Sequence, residues 1–209
     1  MLKKITSFPL FLLLCIFSLN INAINVKSKN LNKFHVSAGL SESQQNDSSI
    51  LFLRRFFKWY QTKYDYLDHH IFPVTTDYKN NTPYRIDLKE TEKYLSVLKS
   101  SGFFSDNYIN HKRQYFKEID SMLQKTKQSD GTVDGLDYDP VVHSQEPESI
   151  LEKLATIQLD VVSRSGNRII VKMKTKFNED TYLLYYLTKD GDKYLIDKID
   201  FLIGGKVEN

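Results

Sequence analysis

A single cysteine, Cys15, is all the thiol chemistry that the 209-residue chain holds, and it lies inside the N-terminal apolar run. The rest of the chain therefore cannot form a disulfide, a thiol nucleophile or a cysteine-ligated metal site, so its fold must hold by burial alone. Eight glycines and five prolines are too few for a low-complexity or collagen-like chain. A formal charge of +3 lacks the field that a nucleic-acid binder uses, which removes nucleic acid from the expected partners. No Gly-x-Ser-x-Gly elbow, phosphate loop or dinucleotide fingerprint is present, so no cofactor is expected. Nothing in the pattern names a reaction.

What is present begins with Lys3 and Lys4 and an apolar run from Phe8 to Leu19. That run is shorter than the roughly 20 residues needed to span a bilayer, so it reads as an export signal ending near Ala23. Acylation at Cys15 is the rival reading. Leu14 argues against it, because a small residue is expected immediately before an acylated cysteine. Removal of residues 1–23 takes away Lys3 and Lys4 and leaves a charge of +1, from 3 minus 2, with no membrane span expected after cleavage. Residues 24–49, polar and aperiodic, read as a flexible tether. Residues 50–205 read as one α+β domain: helices first, then an antiparallel sheet.

Ile50, Leu53, Phe57, Tyr60 and Tyr64 recur at helical spacing, with Phe52, Phe56 and Trp59 widening the stripe, which predicts a helix over 50–67 buried on more than one side. Arg54, Arg55, Lys58 and Lys63 are expected on its wet face. A short strand is expected at Ile71–Thr75. Asp87 with Glu90 marks the next helix start, Gly102 its stop and Ser105 the following cap. The second helix should bury Leu88, Thr91, Leu95 and Leu98. The third should carry Tyr108, Lys112, Tyr115, Ile119 and Met122 along one stripe.

Ser129–Glu148, irregular and acid-rich, is the stretch where binding is expected. Alternation over Arg168–Phe177 predicts a strand with one dry face. Thr181–Thr188, apolar on both sides, predicts a strand covered on both. Asp190-Gly191 supplies a tight hairpin turn.

Three stretches carry a family resemblance: Phe56-Phe57-Lys58-Trp59-Tyr60, then Arg85-Ile86-Asp87-Leu88-Lys89 with Glu92-Lys93-Tyr94-Leu95 and Ser101-Gly102-Phe103-Phe104-Ser105-Asp106, and finally Tyr194-Leu195-Ile196-Asp197-Lys198-Ile199. Together with Asp137-Tyr138-Asp139 and Gln145-Glu146, they resemble the bacterial domain-of-unknown-function family three-eight-two-eight, which comprises exported proteins and lipoproteins. The resemblance spans about Leu51 to Gly205. It implies a cone-like fold similar to nuclear transport factor two, in which helices cover a curved antiparallel sheet, and brings no catalytic motif.

The function expected is a non-enzymatic binding or accessory module of the cell envelope, periplasmic or secreted, with a protein partner or small ligand. Its contact surface would be the cone mouth and the loop, through Tyr60, Tyr64, Asp137, Tyr138, Asp139, Gln145 and Glu146. A second reading is a small-molecule isomerase or hydrolase in which Asp197 interrupts an apolar face as general base. A third is an inhibitor or immunity-type protein. Calcium at Asp134, Asp137 and Asp139 fails the helix-loop-helix spacing. Zinc at His69 and His70 is disfavoured because adjacent side chains diverge. Arg168, Lys172, Lys174 and Lys176 form a basic ridge, expected to be solvated.

Overall fold

The long aromatic helix, α1, runs from Ser48–Ile71. It is four residues longer at its C-terminus than its apolar stripe predicts. In the computed structural model the residues described are 47–71, 74–77, 82–129, 133, 135–154, 156–174, 181–203 and 206–207. The signal and most of the tether lie outside them, as do Asp130, Asp134, Thr175, Lys176 and Phe177. Among the described residues no helix is long and apolar enough to cross a membrane.

The strand expected near Ile71 is displaced and has a partner. β1 (Val74–Asp77) pairs antiparallel with β2 (Thr82–Ile86), and Asn80-Asn81 lie between them. Next comes α2 (Leu88–Ser100), where the Asp87 carboxylate accepts from the amides of Lys89 and Glu90, satisfying donors that a helix start leaves free. Its buried residues are Thr91, Tyr94, Leu95 and Leu98. Leu88 is 46% exposed instead, since a first-turn residue overhangs the packed face, and Tyr94 takes the inward place. Gly102 follows in the left-handed region (φ +73°), as a helix stop requires.

α3 (Asp106–Thr126) is capped by the Ser105 hydroxyl, which accepts from the Tyr108 amide. Residues 103–105 between α2 and α3 run beside the last long strand: the Ser105 amide donates to Ile196 O, and the Ile196 amide to Phe103 O. After the irregular loop comes a single helical turn, α4 (Pro147–Leu151).

The sheet follows in simple meander order. β3 (Leu159–Ser165), β4 (Arg168–Lys174), β5 (Thr181–Asp190), β6 (Lys193–Ile203) and β7 (Lys206–Val207) are neighbours in chain sequence, all antiparallel. The β5–β6 loop is Gly191-Asp192, one residue on from the expected Asp-Gly. Gly191 takes the first central position at φ +59°, where any side chain would be strained. Ile169, Val171 and Met173 turn inward from β4, and Leu183, Tyr185 and Leu187 from β5. Helices on one face and sheet residues meet in one core: Phe56 lies 5.3 Å from Phe104 and 6.3 Å from Tyr185, ring centre to ring centre. The architecture is α+β, helices packed on an antiparallel sheet.

Two sheet expectations are corrected. The outer face of β5 is only half-buried at Tyr182, Leu184 and Tyr186, so the strand is not covered on both sides. Lysine ammonium groups lie over the outer tyrosines: Lys172 Nζ is 4.7 Å from the Tyr182 ring centre, and Lys198 Nζ is 5.6 Å from that of Tyr186. The basic ridge is thus partly aromatic cover. The other correction concerns Asp197. On β5 the consecutive residues Tyr186 and Leu187 pair with Lys198 and Ile196, which makes Asp197 the extra residue of a bulge. The bulge shifts side-chain parity, so Tyr194 and Ile196 face inward before it and Ile199 and Phe201 after it.

Candidate functional site

Asp139 is where the irregular loop turns into the core. Its Oδ1 accepts from the amides of Val141 (2.9 Å) and Val142 (2.8 Å), its backbone oxygen accepts from His143 N, and its amide donates to Ser144 O. These bonds close a tight turn that drives Val141 and Val142 fully into the interior. Tyr185 Oη on β5 donates to Val141 O at 3.0 Å and pins the turn to the sheet. At the other end of the loop, the Tyr115 hydroxyl donates to Gly135 O. Gly135 has φ +82°, and a Cβ there would stand 3.2 Å from Ile119, so glycine is required for the loop to lie this close to α3.

Tyr60 projects from α1 and its hydroxyl donates to Asp139 Oδ2 at 2.6 Å. Burial pushes the Asp139 carboxyl above its ordinary value, against the opposing pull of Tyr60, the two amides and the field of Lys112. The same enclosure, reinforced by Asp139, raises Tyr60, Tyr94, Tyr108 and Tyr185. Four tyrosines from α1, α2, α3 and β5 thus share one electrostatic neighbourhood with one carboxylate. The hydroxyls of Tyr94 and Tyr108 are buried and meet no hydrogen-bond partner among the described residues. Unpaired buried hydroxyls are costly, and native proteins keep few of them.

A cavity of about 210 Å³ opens over this cluster. Tyr60, Tyr64 and Asp68 come to it from α1, Tyr94 from α2, and Asp137, Tyr138, Asp139, Ser144 and Gln145 from the loop. Six of the seven residues expected to bind therefore surround one space. The seventh, Glu146, lies with Tyr138 and Gln145 on an adjoining cavity of about 360 Å³ beside His143 and Phe201. Tyr138 stacks flat on His143 at 5.1 Å, which gives the partition between the two spaces an aromatic face.

Asp197 is elsewhere. Its carboxylate accepts from the Thr188 hydroxyl and lines two outer depressions, one of them shared with Tyr108, and not the cavity over Asp139. The enclosed carboxylate that meets a tyrosine hydroxyl is Asp139. No run of residues signals this, because Tyr60 and Asp139 are 79 positions apart.

Two other features were not legible. Lys112 is half-buried, with Nζ 5.1 Å from the Tyr115 ring centre and 5.7 Å from that of Tyr108. Burial lowers it to about 8, with Asp139 pulling the other way. Arg54, expected in water, instead donates to Leu154 O and Ile157 O at 2.6 and 2.5 Å and anchors α1 to the chain entering β3.

Among the described residues no three histidine, cysteine, aspartate or glutamate side chains converge to hold an ion. Asp139 Oδ1 is already committed to two amides. The side chains of His69 and His70 lie outside the described residues. The chain matches no family model, no curated protein and no solved structure.

Proposed function

We propose that the chain is an exported accessory module of the bacterial cell envelope that binds a small ligand, without transforming it, in the cavity between α1 and the loop ending at Glu146. The observation that carries this reading is the cavity itself. Three separated chain segments build it, its floor is a fixed Tyr60–Asp139 bond, and the buried Tyr94 hydroxyl on its wall meets no partner among the described residues. Concave sites with an aromatic lining and a few convergent polar groups are the usual form of a small-molecule site. Export rests on the N-terminal apolar run. Kinship with family three-eight-two-eight, and the cone-like fold it implies, are part of the same proposal; the order of helices before a meander sheet supports both.

The test is a fragment screen by saturation-transfer NMR on the purified chain and on Asp137→Trp, which blocks the cavity mouth. Fragments that bind the parent should lose their signal in the variant. Identical hit lists from the two proteins would sink the reading. Export is checked separately by the mass of the N-terminal peptide recovered from an envelope fraction, expected to begin near Ile24.

A second reading is favoured by one observation: Asp139, a carboxyl raised by burial, shares its cavity with Tyr94, whose hydroxyl meets no partner among the described residues, and proton abstraction beside a carbonyl uses a base together with a separate donor to the carbonyl oxygen. Isomerase-type chemistry would use Asp139 as that base. Exchange of deuterium into a small ketone, abolished by Asp139→Asn, would establish it.

A further inference from the structure

Resting on the reading of this cavity as a ligand site, we infer that its ligand is a small organic cation carrying an ammonium group. The first ground is charge. Asp68, Asp137 and Asp139 line the cavity, and no lysine, arginine or histidine does so among the described residues. Beyond the lining, Asp65 and Glu148 add to the field felt by the Tyr64 hydroxyl, which burial and then these acids push upward. Among the described residues Lys112 is the cation whose field reaches Asp139, and it lines the separate depression beside Tyr108 and Tyr115.

The second ground is the wall. Tyr60, Tyr64, Tyr94 and Tyr138 bring aromatic rings to a space bounded by carboxylates, and ring faces attract a positive charge from which water has been removed. The third is unused bonding capacity. A carboxylate accepts at about four positions. Asp139 spends two on the Val141 and Val142 amides and one on Tyr60, while Tyr94 Oη spends none. An ammonium N–H can take the remaining place on Asp139. A divalent metal fits poorly, because ring faces cannot ligate it. The volume equals about seven waters' share of liquid, which suits a cation of similar heavy-atom count.

The experiment compares charged and neutral isosteres by NMR titration of the purified chain: tetramethylammonium against tert-butanol, and n-butylammonium against n-butanol, with pivalate as the anion. At least one cation should bind about tenfold more tightly than its neutral partner, the scale of one desolvated cation–ring contact. Asp139→Asn should abolish that preference. Asp137→Asn, at the half-buried rim, should weaken the cation about threefold and guards against misfolding of the first variant, which circular dichroism monitors. Equal affinity for cation and alcohol, or a preference for pivalate, would overturn the cation assignment while leaving the cavity as a binding site. Binding of no probe of any charge would overturn both.

Discussion

Asp120 and Asp139 are two enclosed carboxylates that the same protein treats in opposite ways. Asp120, on α3, accepts from both Nε and an Nη of Arg85, from the Ile86 amide and from Gln124, and Arg85 first among these holds it at about 2. Asp139 accepts three bonds, from two amides and a tyrosine hydroxyl, against four at Asp120, and its carboxyl is pushed up. One bond fewer does not account for opposite signs; the charge of the donor does. A guanidinium in contact supplies full opposite charge, whereas amide and hydroxyl dipoles offset only part of the desolvation. Asp120 is a rivet between α3 and the β1–β2 hairpin. Asp139 is a charge with no contacting counterion among the described residues.

The comparison breaks most sharply at Asp139. Asp139→Ala strands two buried amides and the Tyr60 hydroxyl and should cost about 3 kcal/mol in urea unfolding, whereas Asp139→Asn, still able to accept, should cost less than about 1 kcal/mol. Equal losses would mean that the charge, not the turn, is what the fold needs. Asp120→Ala leaves the Ile86 amide unpaired and should cost about 2 kcal/mol.

Unfolding measured from pH 7 down to pH 2 sharpens the contrast. Asp120, held below its unfolded value of about 3.8, contributes stability above that pH and loses it as the pH falls toward about 2. Asp139, raised, has the reverse sign: its ionised form costs stability at neutral pH, and that cost disappears as the group protonates. The Asp120→Ala profile should therefore be flatter below pH 4 than the parent's, and the Asp139→Asn profile steeper.

Smaller effects follow around the cluster. Tyr60→Phe removes a made bond and should cost about 1 kcal/mol, but Tyr94→Phe and Tyr108→Phe remove unpaired hydroxyls and should be neutral or stabilising by up to about 1 kcal/mol. A loss at Tyr94 equal to that at Tyr60 would contradict the unpartnered assignment. Lys112→Met should gain about 1 kcal/mol at pH 7, and the gain should shrink as the pH rises through about 8, where the parent lysine sheds its proton. Carbon-13 reductive methylation can follow that titration directly.

Much of the scaffold was legible residue by residue. Asp87 and Ser105 cap the helices they precede, Gly102 stops one, and alternation over Ile169, Val171 and Met173 marks the inner face of β4. Each is a contact within a turn or two of chain, so the local residues suffice to specify it. The loop containing Asp137, Tyr138, Asp139 and Gln145 was recognisable as irregular and acid-rich, hence as a place for binding. Asp197 misled because strand parity holds only where no extra residue enters, and Lys172 and Lys198 lie over tyrosines that alternation alone leaves bare.

The sequence by itself determined the class of the fold, the order of its elements, their caps and turns, and the want of thiol chemistry, because propensity, periodicity and composition act over a few residues. Tertiary structure alone decided that Tyr60 would meet Asp139, that the hydroxyls of Tyr94 and Tyr108 would be buried beside them with no partner among the described residues, and that Asp197 would be set aside by a bulge. Those outcomes depend on how distant segments share one low-dielectric space, where a one-residue change of register turns a side chain from one face of the sheet to the other.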